Sequence, residues 1–482
     1  MNRLVVGLAM LAAAALPAAA QKPPSFVVLF TDDQRWDAMG FVNPLLQTPS
    51  LDALASEGVY FENAFVTTAI CPASRATLLT GLHERSHRYT FFAPPLRLAL
   101  TAASHPRLLR ETGYRTAMIG KDGAVFEDGA VEEMFDVFVP LSRLPSYFKE
   151  QKDGSLRHLT DLTGDHVEAF LASQDPEQPF SLWVTFNAPH AQYVRLGDDE
   201  IDQYFEWPER FDGLYEDVTF PTPPTYDPSF LDSQPRFLRD AENRIRGDVL
   251  WTPAEYQQNL RGYYRMVAGL DDAVGRIRSL LDAFGLADDT AILFLSDNGY
   301  YVGERGGYSG KWLPHEPSIR VPMIVYHPRM DAALRGTVRG EVVLNLDVAP
   351  TLLDLAGLEI PAGMQGRSLA PLILSGDRPE WRQDVFVEHL MDPDHPQNGF
   401  AIPRHEGVRT VDGWKYAHYL DHAYEELYYL PGDPFEELNL IDDPAAAGKL
   451  DELRSRTAEL RDRHAGVVFG DGFESGDLSR WQ

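Results

Sequence analysis

The 482-residue sequence contains a single cysteine, Cys71. One thiol cannot form an internal disulfide, so no covalent staple supports the fold. Positive charge is also scarce. Lys and Arg number 43 against 72 Asp and Glu, a formal net charge of −29. Such a field repels nucleic acid and anionic membrane surfaces, so neither is expected as a partner. An anionic substrate must be met by a local cluster of cations, which favours a small pocket over a long groove. Beyond the N-terminus no apolar run is long enough to span a bilayer. What is present, 44% hydrophobic and 24% charged residues, is ordinary for a globular enzyme.

The first residues read as a secretory signal peptide, residues 1–20. Arg3 gives a positive start, Leu4 to Leu16 an apolar stretch, and Ala18-Ala19-Ala20 a small-residue cleavage site. Gln21 rather than a cysteine follows the cut, so no lipid attachment is expected there. The expected location is periplasmic or secreted.

Several short apolar runs end in polar residues. Phe26 to Phe30 leads into Thr31-Asp32-Asp33, and Arg115 to Ile119 into Gly120-Lys121. Phe180 to Phe186 leads into Asn187-Ala188-Pro189-His190, and Ala291 to Leu295 into Ser296-Asp297-Asn298. Continuous hydrophobicity fits strands covered on both faces. Helix-like stretches lie between them: Pro49 to Glu57, Leu159 to Ala172 and Ala254 to Phe284. The expected fold class is α/β, a large mixed, mostly parallel sheet between helices. In such sheets ligands bind beyond the carboxyl ends of the strands, so those polar residues are expected to converge.

After about residue 375 the pattern changes to short strands with turns at Asp412-Gly413 and Pro431-Gly432, then a helix over Pro444 to His464. The expected division is a catalytic domain over 21–375, a small C-terminal α+β subdomain with an antiparallel sheet over 376–467, and a flexible acidic tail over 468–482.

In the run Cys71-Pro72-Ala73-Ser74-Arg75, Pro72 suits a first helical turn, and Gly81 suits its end. Cys71 then stands at a helix N-terminus, where free N–H groups favour negative charge, with Arg75 one turn on. A buried, inert small residue at an incidental helix start would give the same pattern. Asp32, Asp33, Asp297 and Asn298 offer oxygen ligands at two strand ends. That set suits Ca²⁺, or less well Mg²⁺, rather than Zn²⁺. Lys121, His190 and Lys311 fall on the same edge as donors for a tetrahedral oxyanion.

These stretches resemble the sulfatase family of the alkaline-phosphatase-like superfamily, from about Pro24 to Leu440. The matching segments are FVVLFTDDQRWDAMG, TPSLDALASEGVYFENAFVTTAICPASRATLLTG, GYRTAMIGK, FNAPH, LFLSDNGYYVGERGGYSGKW with SIRVPMIVYHP, and EELYYLPGDPFEELNLI. The resemblance implies that Cys71 is oxidised to formylglycine (3-oxoalanine) by a maturation enzyme and that Arg75 stabilises it. It implies that Asp32, Asp33, Asp297 and Asn298 hold calcium together with residue 71. Lys121, His190 and Lys311 would contact the sulfate or its leaving oxygen, and His190 or Lys311 would protonate the leaving alcohol. Two positions depart from the family pattern. Ala73 stands where Cys-x-Pro-x-Arg has proline, and Gly123 stands where many members carry a histidine; His315 and Tyr308 are candidates to replace that donor.

The expected activity is hydrolysis of sulfate esters, exo-acting on sulfated sugars. In the C-terminal part, Glu388, His389, Arg404, His405 and Arg409 are polar and close in sequence. Arg404 and Arg409, with His315, are the candidate substrate-binding residues. Two other readings stay open: a phosphonate monoester or phosphodiester hydrolase of the same superfamily, and a non-catalytic glycan-binding relic.

Overall fold

The structure is a computed structural model that describes residues 22–91, 94–195, 201–376, 380–392 and 401–465. The expected signal peptide and acidic tail lie outside the described residues. In chain order, the elements that place the site begin with β1 (Ser25–Asp32), α1 (Pro49–Glu57), β2 (Val59–Phe61), α2 (Cys71–Thr80), β3 (Arg115–Gly120) and β4 (Val137–Pro140). Next come α3 (Leu159–Ala172), β5 (Phe180–Pro189), α4 (Glu242–Leu250), α5 (Tyr256–Ala283), β6 (Thr290–Ser296), β7 (Met323–Tyr326) and β8 (Thr337–Arg339). The C-terminal part holds β9 (Asp384–His389), β10 (His405–Thr410), β11 (Trp414–Tyr419), β12 (Tyr424–Tyr429) and α6 (Ala447–Ala465).

Eight strands form one sheet in the order β8-β2-β7-β6-β1-β5-β3-β4. Strand β7 pairs antiparallel with both of its neighbours, and the other pairs are parallel. The apolar runs are continuous because both faces are covered. Along β1, Val27 and Leu29 enter one core with α1, α3 and α5, while Phe26, Val28 and Phe30 enter the opposite core with α2. All five are fully buried, each stabilising by about 1.5–3 kcal/mol relative to exposure. Helix α5 buries Leu260, Tyr263, Tyr264, Val267, Leu270, Val274 and Ile277 at helical spacing.

The registers bring the polar strand ends together. Thr31 pairs with Ser296, Asp32 with Pro189, and Gly120 with Thr185. Asp33 therefore lies beside Asp297, Asp32 beside His190, and Lys121 one strand further out. Gly120 is required where it sits: its φ is +121° and an added Cβ would lie 2.0 Å from Thr185 O.

Strands β9-β10-β11-β12 form the antiparallel sheet expected near the C-terminus. Helix α6 covers it through Leu450, Leu453 and Leu460, packed with Val408, Tyr416 and Leu427. Its edge docks on the larger part: Glu388 N donates to Thr67 O at 2.8 Å, and Arg85 bonds Glu388 and Glu406.

Candidate active site

Cys71 is the first residue of α2. Pro72 fills the first turn, Ile70 is extended and supplies no side-chain cap, and Gly81 ends the helix at φ +68° with its N–H on Thr77 O. The free N–H groups of that turn leave a partial positive charge at Cys71. The side chain is buried at 6% exposure. Burial pushes its thiol up, and Lys121 and Lys311 offset only part of that. An unmodified thiol here is held protonated and is a weak nucleophile.

Three carboxylates meet beside it. Single oxygens of Asp32, Asp33 and Asp297 lie within 4.8 Å of one another, and so do an Asp32 oxygen, Cys71 Sγ and a His190 nitrogen. Asp33 has φ +71°, an uncommon backbone for a non-glycine residue that turns its carboxylate into the cluster. Lys121 Nζ donates to Asp32 Oδ2, and Lys311 Nζ to Asp33 Oδ1 at 2.6 Å. Asn298 Nδ2 donates to the same Asp33 oxygen at 2.6 Å.

The electrostatics separate the three acids. Burial alone would raise Asp32, but Lys121, His190, Lys311 and Arg75 outweigh it and hold that carboxyl well below its usual range. Burial raises Asp33, and burial with the Asp32 charge pushes Asp297 up to about 7. Asp32 Oδ1 and Asn298 Oδ1 are buried and accept no hydrogen bond among the described residues. Crowded carboxylates with orphaned oxygens and no sulfur or imidazole requirement fit a hard divalent cation.

His190 Nδ1 lies 2.6 Å from Ala191 O and 3.2 Å from Arg143 Nε. Nδ1 cannot donate to the first and accept from the second, and we assign the shorter contact, which leaves Nε2 without its proton, 3.6 Å from Asp33 Oδ2. Burial, Arg143 and Lys311 keep the ring well below its usual pKa, hence neutral.

Arg75 is expected from the sequence to lean back toward Cys71. Its hydrogen bonds go elsewhere: Nε and Nη2 to Asp297 Oδ2, and Nη1 to Lys121 O at 3.0 Å. Its guanidinium lies 4.7 Å from the Phe30 ring centroid. Gly123 faces this side chain. Its φ is +64°, and a Cβ there would lie 2.3 Å from Arg75 Cδ. Arg75 thus occupies the space that a larger residue at 123 would need.

A cavity of about 410 Å³ opens over Cys71, Lys121, His190 and Lys311. The remaining candidates do not line it. Both nitrogens of His315 are engaged, by Tyr301 Oη at 2.7 Å and Glu426 at 3.0 Å, and Tyr308 Oη donates to Leu238 O. Arg404 pairs with Asp421, and Arg409 lies 3.6 Å from Glu316 and over the Phe65 ring. Glu388 and His389 lie on β9, and His405 and Arg409 on β10, inside a sheet rather than on loops, so their polar run marks packing between the two parts of the chain. Beside Asn187, from the expected polar end of β5, the cavity is lined by residues the sequence reading passed over, notably Arg143, Tyr193, Arg246 and Trp312. They come from four separate segments with no local pattern to join them.

The profile of the sulfatase family matches residues 24–358, and one described as N-sulphoglucosamine sulphohydrolase, C-terminal, matches residues 303–463. An N-acetylglucosamine-6-O-sulfatase of Bacteroides thetaiotaomicron is 28% identical over 500 residues, covering 92% of this chain and 87% of that protein. A solved structure described as a complex with its substrate, D-glucosamine-2-N,6-O-disulfate, is 26% identical with a TM-score of 0.75, over 92% of this chain and 98% of that one. A phosphonate monoester hydrolase of Agrobacterium radiobacter also has a TM-score of 0.75, over 92% and 96% of the two chains. At 23% identity it shares the fold alone. The chain belongs to the sulfatase family, within the alkaline-phosphatase-like superfamily, and is a sulfuric ester hydrolase. Among the described residues, no helix is long and apolar enough to cross a membrane.

Proposed function

We propose that this chain is an exported sulfatase that removes sulfate from sulfated sugars, exo-acting, with position 71 oxidised to 3-oxoalanine beside one Ca²⁺. The observation that carries the reading is the meeting of Cys71 Sγ, Asp32 and His190 within 4.8 Å at the start of α2, next to the Asp32, Asp33 and Asp297 cluster. Cys71 Sγ stands in for a hydroxyl of the hydrated aldehyde. The relatives named for N-acetylglucosamine-6-O-sulfate and for glucosamine disulfate support a sugar sulfate as substrate.

Asp32, Asp33, Asp297 and Asn298, with the oxidised residue, would hold the cation. When bound, it supplies Lewis-acid stabilisation of the sulfate oxygens and lowers the pKa of an oxygen nucleophile. Every other part of the work falls to the side chains. The helix N-terminus and Lys121 favour negative charge at position 71. His190, held neutral, is suited to accept a proton at Nε2 from a hydroxyl at that position. Asp33 keeps Lys311 charged despite its burial, so its ammonium is suited to hold the leaving oxygen and the proton that oxygen needs. Arg75 fixes Asp297 and packs on Phe30. The division into a catalytic part over 21–375 and a smaller part over 376–467 belongs to this reading, as does export through residues 1–20.

A phosphonate monoester or phosphate diester is a monoanion like a sulfate ester, so charge does not separate those substrates; the relatives named for sugar sulfates favour the sulfatase reading. Kinetics test the proposal. Enzyme produced with a maturation partner should release sulfate from a 6-sulfated aminosugar, lose that activity to a chelator and regain it with Ca²⁺. Cys71→Ala should cost on the order of 10³-fold or more in kcat/KM. Turnover that survives both treatments would overturn it.

A further inference from the structure

Two arginines line the cavity near its inner groups. Arg143 Nε lies 3.2 Å from His190 Nδ1, on the side of the ring away from Asp33. Arg246 and Lys311 share a neighbour in the Trp312 ring: Lys311 Nζ is 5.8 Å from that ring's centroid and the Arg246 guanidinium 4.8 Å. The Tyr193 ring, 4.4 Å away, also packs against Arg246. All four residues, Arg143, Tyr193, Arg246 and Trp312, line the cavity.

The lysines of the inner site pair with Asp32 and Asp33 and, in the sulfatase reading, serve the reacting sulfate. Arg143 has a different status: among the described residues it pairs with no carboxylate, although acidic side chains outnumber basic ones by a wide margin in this chain. Arg246 is held on its Nε edge by Glu242 at 2.7 Å, and the ring contacts fix its plane. Two neutral donors beside them lack partners: Tyr193 Oη and Trp312 Nε1 are buried and have no hydrogen-bond partner among the described residues, and Trp312 as a whole is 3% exposed. Trp312 is held there at φ +80°, a conformation disfavoured for a bulky side chain, with its N–H on Ala69 O. Buried donors left unsatisfied are costly unless a ligand meets them.

We infer that Arg143, Tyr193, Arg246 and Trp312 form a second anion subsite, which takes a non-reacting sulfate or carboxylate on the same substrate as the scissile sulfate. The inference rests on the sulfatase reading above and narrows its substrate class to sugars with two anionic groups. The physical reason is charge. An acidic protein repels a dianionic sugar until it reaches a site with cations beyond those the reaction uses, and a planar guanidinium is the side chain best matched to sulfate or carboxylate oxygens.

The test compares three substrates: a sugar with one sulfate, the same sugar with a second sulfate, and a monosulfated sugar carrying a carboxylate. For wild-type enzyme, kcat/KM on one of the doubly anionic substrates should exceed that on the first by about tenfold or more, mostly through KM. In Arg143→Gln and in Arg246→Gln that advantage should shrink to about threefold or less. The ratio is the readout because His190 serves every substrate. A merely displaced ring would lower all three together and leave the ratio intact. Whichever second group carries the advantage identifies the anion.

Calorimetry on Cys71→Ala, which cannot turn over, gives a readout free of chemistry. The doubly anionic sugar should bind more tightly than the monosulfated one, and the gain should vanish with Arg143→Gln added. Equal kcat/KM and equal binding across all three sugars would overturn the subsite, as would an advantage that persists in both arginine variants. If aldehyde-bearing enzyme hydrolyses no sulfate ester at all, the sulfatase reading fails, and binding to Cys71→Ala still decides the subsite.

Discussion

Arg75 donates twice to one oxygen of Asp297: Nε at 3.0 Å and Nη2 at 2.9 Å both reach Oδ2, and both residues are buried. One oxygen of Asp297 is thereby fixed by the arginine, and the other accepts from Asp33 N at 3.2 Å. In the proposed site Arg75 is a positioning residue for a cation ligand, which leads to the first prediction.

Arg75→Lys keeps the charge and loses the paired hydrogen bonds to Asp297 Oδ2. The half-saturating Ca²⁺ concentration for sulfate release should rise roughly 10–100-fold, the usual cost of losing a partner that orients a ligand. A calcium titration of activity checks this. An unchanged calcium requirement would mean that Arg75 acts some other way.

Gly123→Ala places a Cβ 2.3 Å from Arg75 Cδ at a backbone φ of +64°. The left-handed backbone costs about 1–2 kcal/mol for a non-glycine residue, so the thermal midpoint should fall. The displaced guanidinium should also raise the calcium requirement, as in Arg75→Lys. A variant that unfolds earlier but binds calcium normally would separate the two effects and contradict the second.

Glu426 joins the C-terminal sheet to the larger part, accepting from Arg305 Nη2 at 3.2 Å and Tyr419 Oη at 3.0 Å, beside His315. Burial would raise its carboxyl, but the His315 ring and the Arg305 guanidinium outweigh that and bring it down to about 2. A folded pKa below the unfolded value of about 4.5 gives stability that is fully present above pH 4.5 and is lost as the pH falls toward 2. Glu426→Gln should therefore cost about 3–5 kcal/mol at neutral pH and flatten the fall in stability below pH 4.5. Denaturant unfolding at a series of pH values measures both.

The convergence of the polar strand ends was legible in the sequence because buried parallel strands write their ends plainly. The apolar runs before Asp32, Lys121, His190 and Asp297 mark where each strand stops, and the parallel registers carry all four to one edge. The fold class was legible for the same reason. The reversed direction of β7 was not, since Met323–Tyr326 is equally apolar in either sense. The outer ring of the cavity was illegible for another reason. Arg143 follows β4, Tyr193 follows β5, Arg246 sits on α4, and Trp312 stands between elements at a positive φ. Nothing in any one of these segments announces the others. The Arg404 to Arg409 stretch, polar and close in sequence, does not reach the cavity, because His405 and Arg409 are buried in a strand between two others.

The central claim is that the sole thiol becomes an aldehyde, and mass spectrometry of the peptide spanning position 71 tests it most directly. The account predicts that, after expression in a host able to convert this motif, one oxygen replaces the sulfur and two hydrogens of Cys71, and that specific activity across preparations rises in proportion to the converted fraction. Active enzyme carrying only an unaltered cysteine at that position would contradict it.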